Sequence, residues 1–164
     1  MLPQAAFYAA EPLVLTGPAD TKALGAHFEY SLDADWSLKP VNFVGADAVP
    51  TKPLPGGVSD FGYTSSKIWL KLPVRNQTAD QTDWRFFVHA NFTQTFSIHQ
   101  IAPDGLIKTL MDLGQDSPFS ARPVNYPQMV VPLKLAPEQA ATLACAAKLS
   151  GVSIDMESRE EPCE

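Results

Sequence analysis

From Ser66 to Asn76 the chain places Ile68, Leu70, Leu72 and Val74 at every second position, with Lys67, Trp69, Lys71 and Arg75 between them. Alternation with period two gathers the four aliphatic side chains on one face of a β-strand, whereas a helix would scatter them around its circumference. Residues 77–83 are polar and read as a turn. Trp84, Phe86 and Val88 then alternate against Arg85, Phe87 and His89. Two alternating strands around a short polar connection predict an antiparallel hairpin.

The same pattern predicts strands over Leu13–Leu15, His27–Leu32, Thr95–Ile101, Leu106–Leu110, Met129–Leu135 and Ala141–Ala147, with a last one at Val152–Ile154. Asp33-Ala34-Asp35 ends the second of these. Residues 36–58 carry Pro40, Pro50, Pro53, Pro55, Gly56 and Gly57, which exclude a long regular element and leave room for one short helical turn or strand at Val41–Val44. Pro103-Asp104-Gly105 and Pro137-Glu138 read as tight turns. Residues 112–124 read as a long polar loop. The Ala-rich segment 137–148 has a helical composition, but its β neighbours favour a strand. Roughly eight or nine short strands predict an all-β fold, an antiparallel sandwich.

Composition supports this reading: Pro (15) outnumbers Gly (9), as suits many short strands with stiff turns. A chain of 164 residues suits one domain. Residues 1–10 read as a signal remnant or flexible N-terminus, 11–154 as the domain, and 155–164 as an acidic disordered tail. The net charge is −6, most of it in that tail, where Asp155, Glu157, Glu160, Glu161 and Glu164 face a single Arg159. The body therefore has no basic footprint for nucleic acid or an anionic membrane surface. No run of 18 apolar residues is present, which excludes a transmembrane helix within these residues.

Catalytic signals are absent. No nucleophile elbow, phosphate loop or dinucleotide fingerprint occurs, and turn chemistry accounts for Asp60, Asp83, Asp104 and Asp116. His27, His89 and His99 lack metal-ligand spacing. A pairing of His89 and His99 on one sheet face is the only metal arrangement open to them, and surface imidazoles are the plainer reading. No cofactor is expected. Cys145 reads as a buried small hydrophobe, and a bridge to Cys163 is not expected. Asn76-Gln77-Thr78 and Asn91-Phe92-Thr93 match the glycosylation sequon.

The polar face of the strands is more informative. Trp69, Lys71, Arg85, Phe87, His89, Ser97 and His99 stand opposite the aliphatic positions, and aromatic plates among hydrogen-bonding groups suit a sugar or similar polar ring. The alternative is that Trp69 and Phe87 are covered by the Pro-rich loops or a second sheet. Arg122, in the long loop, is either a clamp for an anion or a buried tie to neighbouring carbonyls.

Gly62-Tyr63-Thr64-Ser65-Ser66-Lys67-Ile68-Trp69-Leu70-Lys71-Leu72 with Arg75-Asn76 resembles the core of a bacterial sensor domain. That domain is the second type of extracellular domain of seven-transmembrane receptors with diverse intracellular signalling modules. Ser117-Pro118-Phe119-Ser120-Ala121-Arg122-Pro123-Val124, the strand Met129–Leu135 with Ala136-Pro137, and the segment Leu24–Trp36 also fit, so the likeness covers about residues 11–150. It implies a jelly-roll β-sandwich akin to carbohydrate-binding modules. It also implies a periplasmic location, with attached transmembrane and cytoplasmic signalling domains in the parent receptor. The chain departs from the pattern at Lys71, where Arg is usual, and at Pro73, which suggests an edge strand or a bulge. The acidic end in place of a membrane helix suggests a piece of a receptor or a stand-alone relative. The resulting expectation is a non-catalytic sensing domain for a small polar ligand, with carbohydrate the favoured class. A protein-interaction or homodimerisation module is the main rival, and a jelly-roll glycoside-active enzyme a distant one.

Overall fold

The structure, a computed structural model, describes residues 12–16, 22–23, 27–54, 64–79, 82–89, 93–114, 129–149 and 155–159. The strands are β1 (Leu13–Leu15), β2 (Lys22–Ala23), β3 (Glu29–Asp33), β4 (Lys52–Pro53), β5 (Lys67–Asn76), β6 (Asp83–His89), β7 (Thr93–Ile101), β8 (Ile107–Gly114), β9 (Met129–Lys134), β10 (Ala140–Leu149) and β11 (Asp155–Arg159). A 3-10 turn spans Pro40–Phe43, where the sequence left a choice between a helical turn and a strand. Among the described residues, no helix is long and apolar enough to cross a membrane.

Two sheets form. The larger has seven strands, ordered β4–β3–β5–β10–β7–β8, with β1 pairing parallel to the end of β5; the smaller runs β2–β11–β6–β9. The aliphatics of β5 meet Leu143 and Cys145 of β10, Phe96 and Ile98 of β7, and Trp84, Val131 and Leu133 from the smaller sheet in one buried cluster. The all-β sandwich predicted by the alternation is therefore what the chain forms. The Ala-rich segment is a strand because its alternate residues serve two interiors. Ala141, Leu143, Cys145 and Ala147 join the cluster between the sheets, while Ala144 and Ala146 join a second cluster on the far side.

The structure corrects the predicted hairpin. β5 lies between β3 and β10, whereas β6 lies between β11 and β9 in the other sheet. Alternation reports which side chains share a face, not which strand lies beside them. The connection instead turns a corner between the sheets, and Asn76 holds that corner. Asn76 is fully buried. Its Nδ2 donates to the Leu135 carbonyl at 2.9 Å, and its Oδ1 accepts from the Thr78 amide at 2.9 Å and the Thr78 hydroxyl at 2.6 Å. Glu138, at φ 62 in the Pro137-Glu138 turn, sends its amide to the Asn76 carbonyl at 2.8 Å. The amide nitrogen a glycan would need is thus committed inside the fold, so Asn76 is no sequon acceptor. Asn91 lies outside the described residues.

Pro73 marks neither an edge nor a bulge. β3 pairs with residues 67–71 of β5 and β1 with residues 74–76, so Pro73 falls where one neighbour hands over to the next and little ladder bonding is forfeited. Two further boundaries move. Asp112–Gly114, assigned to a loop, extend β8. Asp155–Arg159, assigned to a disordered tail, pair with β6 and β2 as β11. The expected strand at 152–154 lies outside the described residues. The Pro103-Asp104-Gly105 turn forms as predicted: Gly105, at φ 90, donates to the Ala102 carbonyl, and Asp104 Oδ1 accepts from the Leu106 amide.

Candidate functional site

The outer face of the seven-stranded sheet has three zones, and the alternation along β5 and β10 places their strand residues in them. The middle is dry. Phe43, Trp69, Ile101, Ala144 and Ala146 are buried together, with Leu38, Val44 and Val49 packed on them. The Trp69 ring lies 4.8 Å from that of Phe43, and Trp69 pairs across the strands with Ala146, a residue small enough to leave room for an indole. What covers Trp69 is the chain after β3, and a single carboxylate anchors it. Asp33, only 2% exposed, accepts the Ser37 and Leu38 amides at 3.0 Å each and the Trp69 indole N–H at 3.3 Å. A buried carboxylate is tolerated when donors surround it, and here those donors tie a loop to a sheet.

At one end of this strip lies a groove of about 640 Å³. Lys71, Pro73 and Arg75 of β5 and Thr142 of β10 line it, with Val44 and Ala48 on one side and Pro103 and Asp104 of the β7–β8 turn on the other. The walls are largely apolar, and two cations stand across from one carboxylate. Arg75 is shared with Glu138 at 3.5 Å, an exposed pair of little energetic weight.

At the other end, Trp36 is 43% exposed. Its indole N–H donates to the Ser65 carbonyl at 3.0 Å. Lys148 Nζ stands 4.6 Å and Lys67 Nζ 5.9 Å from its ring centroid, and Lys67 also reaches within 5.2 Å of Trp69. His99 lies nearby, its ring 6.4 Å from that of Trp69 and its nitrogens at 3.0 Å from the Thr109 hydroxyl and 3.2 Å from that of Ser97. Burial lowers the His99 pKa, Asp112 pulls it back up, and Lys67 lowers it further. Nearby, the Ser37 hydroxyl donates to Asp35 at 2.8 Å and holds that carboxyl below its usual range.

The residues singled out from sequence do not converge. Trp69, Lys71, Ser97 and His99 share the larger sheet, whereas Arg85, Phe87 and His89 belong to β6 in the smaller one. His89 and His99 therefore stand on different sheets, not on one sheet face. Trp69 is 2% exposed and offers no face to a ligand; the covering Pro-rich loop weighed against the ligand reading is what the structure contains. Among the candidates whose side chains are described, Lys71 alone lines the groove. Arg122 lies outside the described residues. Sequence reasoning missed Trp36, Thr142, Arg75 and Asp104 as surface residues of interest. Trp36 carried a signal, since it opens the Pro-rich segment 36–58, outside every predicted strand.

Cys145 is a free thiol within the core, and burial pushes its pKa up to about 12. It is an inert packing group, not a nucleophile.

No curated protein matches the chain. A protein family does: the one described as 7TMR-DISM extracellular 2 matches residues 25–153. That span includes β3 to β10, the covered strip, Trp36 and the groove residues Lys71, Arg75, Asp104 and Thr142, while β1, β2 and β11 lie outside it. It also includes the Lys67–Asn76 strand that carried the resemblance in sequence. With most of its length so matched, the chain belongs to the 7TMR-DISM extracellular 2 family, the sensor domains that seven-transmembrane receptors display outside the membrane.

Proposed function

We propose that this extracytoplasmic domain senses a small polar ligand of the carbohydrate class, held in the groove beside Lys71. The groove carries the reading. Its volume of about 640 Å³ falls within the range of about 300–1,000 Å³ usual for small-molecule sites, and it has the usual mixture of apolar wall and a few convergent polar groups. The prolines and alanines give a sugar ring an apolar surface, and Lys71, Arg75, Thr142 and Asp104 give its hydroxyls partners of both kinds. No bond need be made or broken. A ligand that binds one packing of the domain more tightly than another shifts the equilibrium by that difference, and the attached membrane segment registers the shift.

Thermal unfolding in a panel of saccharides tests this. Ligand at 100 times its Kd should add about 2.7 kcal/mol. Lys71→Ala and Thr142→Val should abolish the shift without altering the unliganded midpoint by more than a degree or two. A panel that leaves the midpoint unmoved overturns the reading.

A second reading draws on Leu106, 72% exposed beside the Ile107 end of β8. Apolar residues at a strand end suit docking of a partner or a second copy. Sedimentation of a strict monomer at high concentration would exclude self-association.

A further inference from the structure

We propose that Trp36, Lys67 and Lys148 form a second binding site, separate from the groove, that takes the carboxylate of an acidic sugar. Three observations carry it. Trp36 has φ 59, a left-handed backbone that is an outlier for a bulky residue. Burial does not compensate it, since the side chain is 43% exposed; the bond from its indole to the Ser65 carbonyl holds it in place.

Two ammonium groups also meet at this one ring, Lys148 at 4.6 Å and Lys67 at 5.9 Å. They extend from neighbouring strands one step beyond the Ala147–Ile68 pair. Like charges so placed repel.

Finally, neither ammonium has a carboxylate within ion-pair distance among the described residues. The nearby acids are otherwise engaged. Asp33 accepts two amides and the Trp69 indole, Asp35 accepts the Ser37 hydroxyl, and Asp112 stands across from Ser97 on β8, acting on His99.

Cation–π contact offsets part of the repulsion, but an anion between the two lysines would remove it. The anion is specified further by its setting. The exposed part of the Trp36 indole offers apolar contact to a pyranose beside the two ammonium groups, so the carboxylate belongs to a sugar ring: a uronic acid residue, free or in an oligomer. The site and the groove occupy opposite ends of β5 and β10, with the buried Trp69–Phe43 strip between them.

Tryptophan emission tests the proposal directly, because Trp36 is exposed while Trp69 and Trp84 are buried. The whole domain is titrated with oligogalacturonate, with a neutral galactose oligomer of equal length, and with inorganic phosphate. The expected result is a saturable blue shift with the uronate alone. Lys67→Gln with Lys148→Gln should weaken its binding by about tenfold or more, and the paired Lys→Arg variant should retain it. Lys71→Ala should leave it unchanged, which separates this site from the groove. An equal response to the neutral oligomer or to phosphate would overturn the proposal, as would wild-type affinity in the Gln variant. Each variant's thermal midpoint certifies that it is folded. Should the Gln pair not fold, Lys148→Gln alone must show the loss.

Discussion

The two faces of the seven-stranded sheet are buried by different means. On the inner face Ile68, Leu70, Leu72 and Val74 are at most 2% exposed, and the alternation within β5 alone assigns them there. On the outer face the neighbouring positions diverge: Trp69 is buried, Lys67 and Lys71 are half-buried, and Arg75 is exposed. Nothing within β5 separates these four. Their surroundings are set by a loop that enters from β3, and Asp33, 36 residues before Trp69, fastens it. A strand's own sequence thus decides which face is core, while distant chain decides how much of the other face remains open to a ligand.

Truncation on the inner face should be the most damaging way to break this contrast. Leu72→Ala removes a fully buried side chain and should cost about 2–5 kcal/mol in urea unfolding, with the m-value unchanged. Asp33→Ala should cost about 2–3 kcal/mol by leaving buried donors unmet, and its damage should be local. Trp69 emission should move to the red and proteolytic cleavage should appear within 34–49, whereas the inner face stays protected. A smaller effect follows from His99. Burial sets its folded-state pKa below the ordinary 6.5, so the unfolded chain binds the proton more readily. Stability should be full above about pH 6.5, fall as the pH drops through the interval below it, and level off once both states are protonated. His99→Gln should flatten that interval in a midpoint-against-pH series. The smallest perturbation leaves stability untouched. In a Cys163→Ser background, Cys145 should resist iodoacetamide at pH 8, and its labelling rate should follow global unfolding across a urea series.

This contrast also explains what could be read in advance. The strands, the sandwich and the receptor-domain resemblance were legible because period-two burial and turn residues are local signals. Strand partners were less so: β5 and β6 looked like a hairpin because both alternate, yet a buried Asn76 sends the chain across to the other sheet. The site was the least legible part. Trp69 looked like a stacking plate because an aromatic on a polar face has two fates, and only the position of the Asp33-anchored loop chooses between them. Arg85, Phe87 and His89 were grouped with Lys71 through the assumed hairpin, and separated with it. The groove unites Lys71 with Thr142 and Asp104, residues more than thirty positions away, and no spacing rule joins such a set.

The central claim is that ligand meets this domain on the outer face of the seven-stranded sheet. Amide chemical-shift mapping during titration with a saccharide that raises the thermal midpoint tests it most directly. The account predicts perturbations at Lys71, Asp104 and Thr142, with β6 silent. Perturbations centred on Arg85, Phe87 and His89 of the smaller sheet would contradict it.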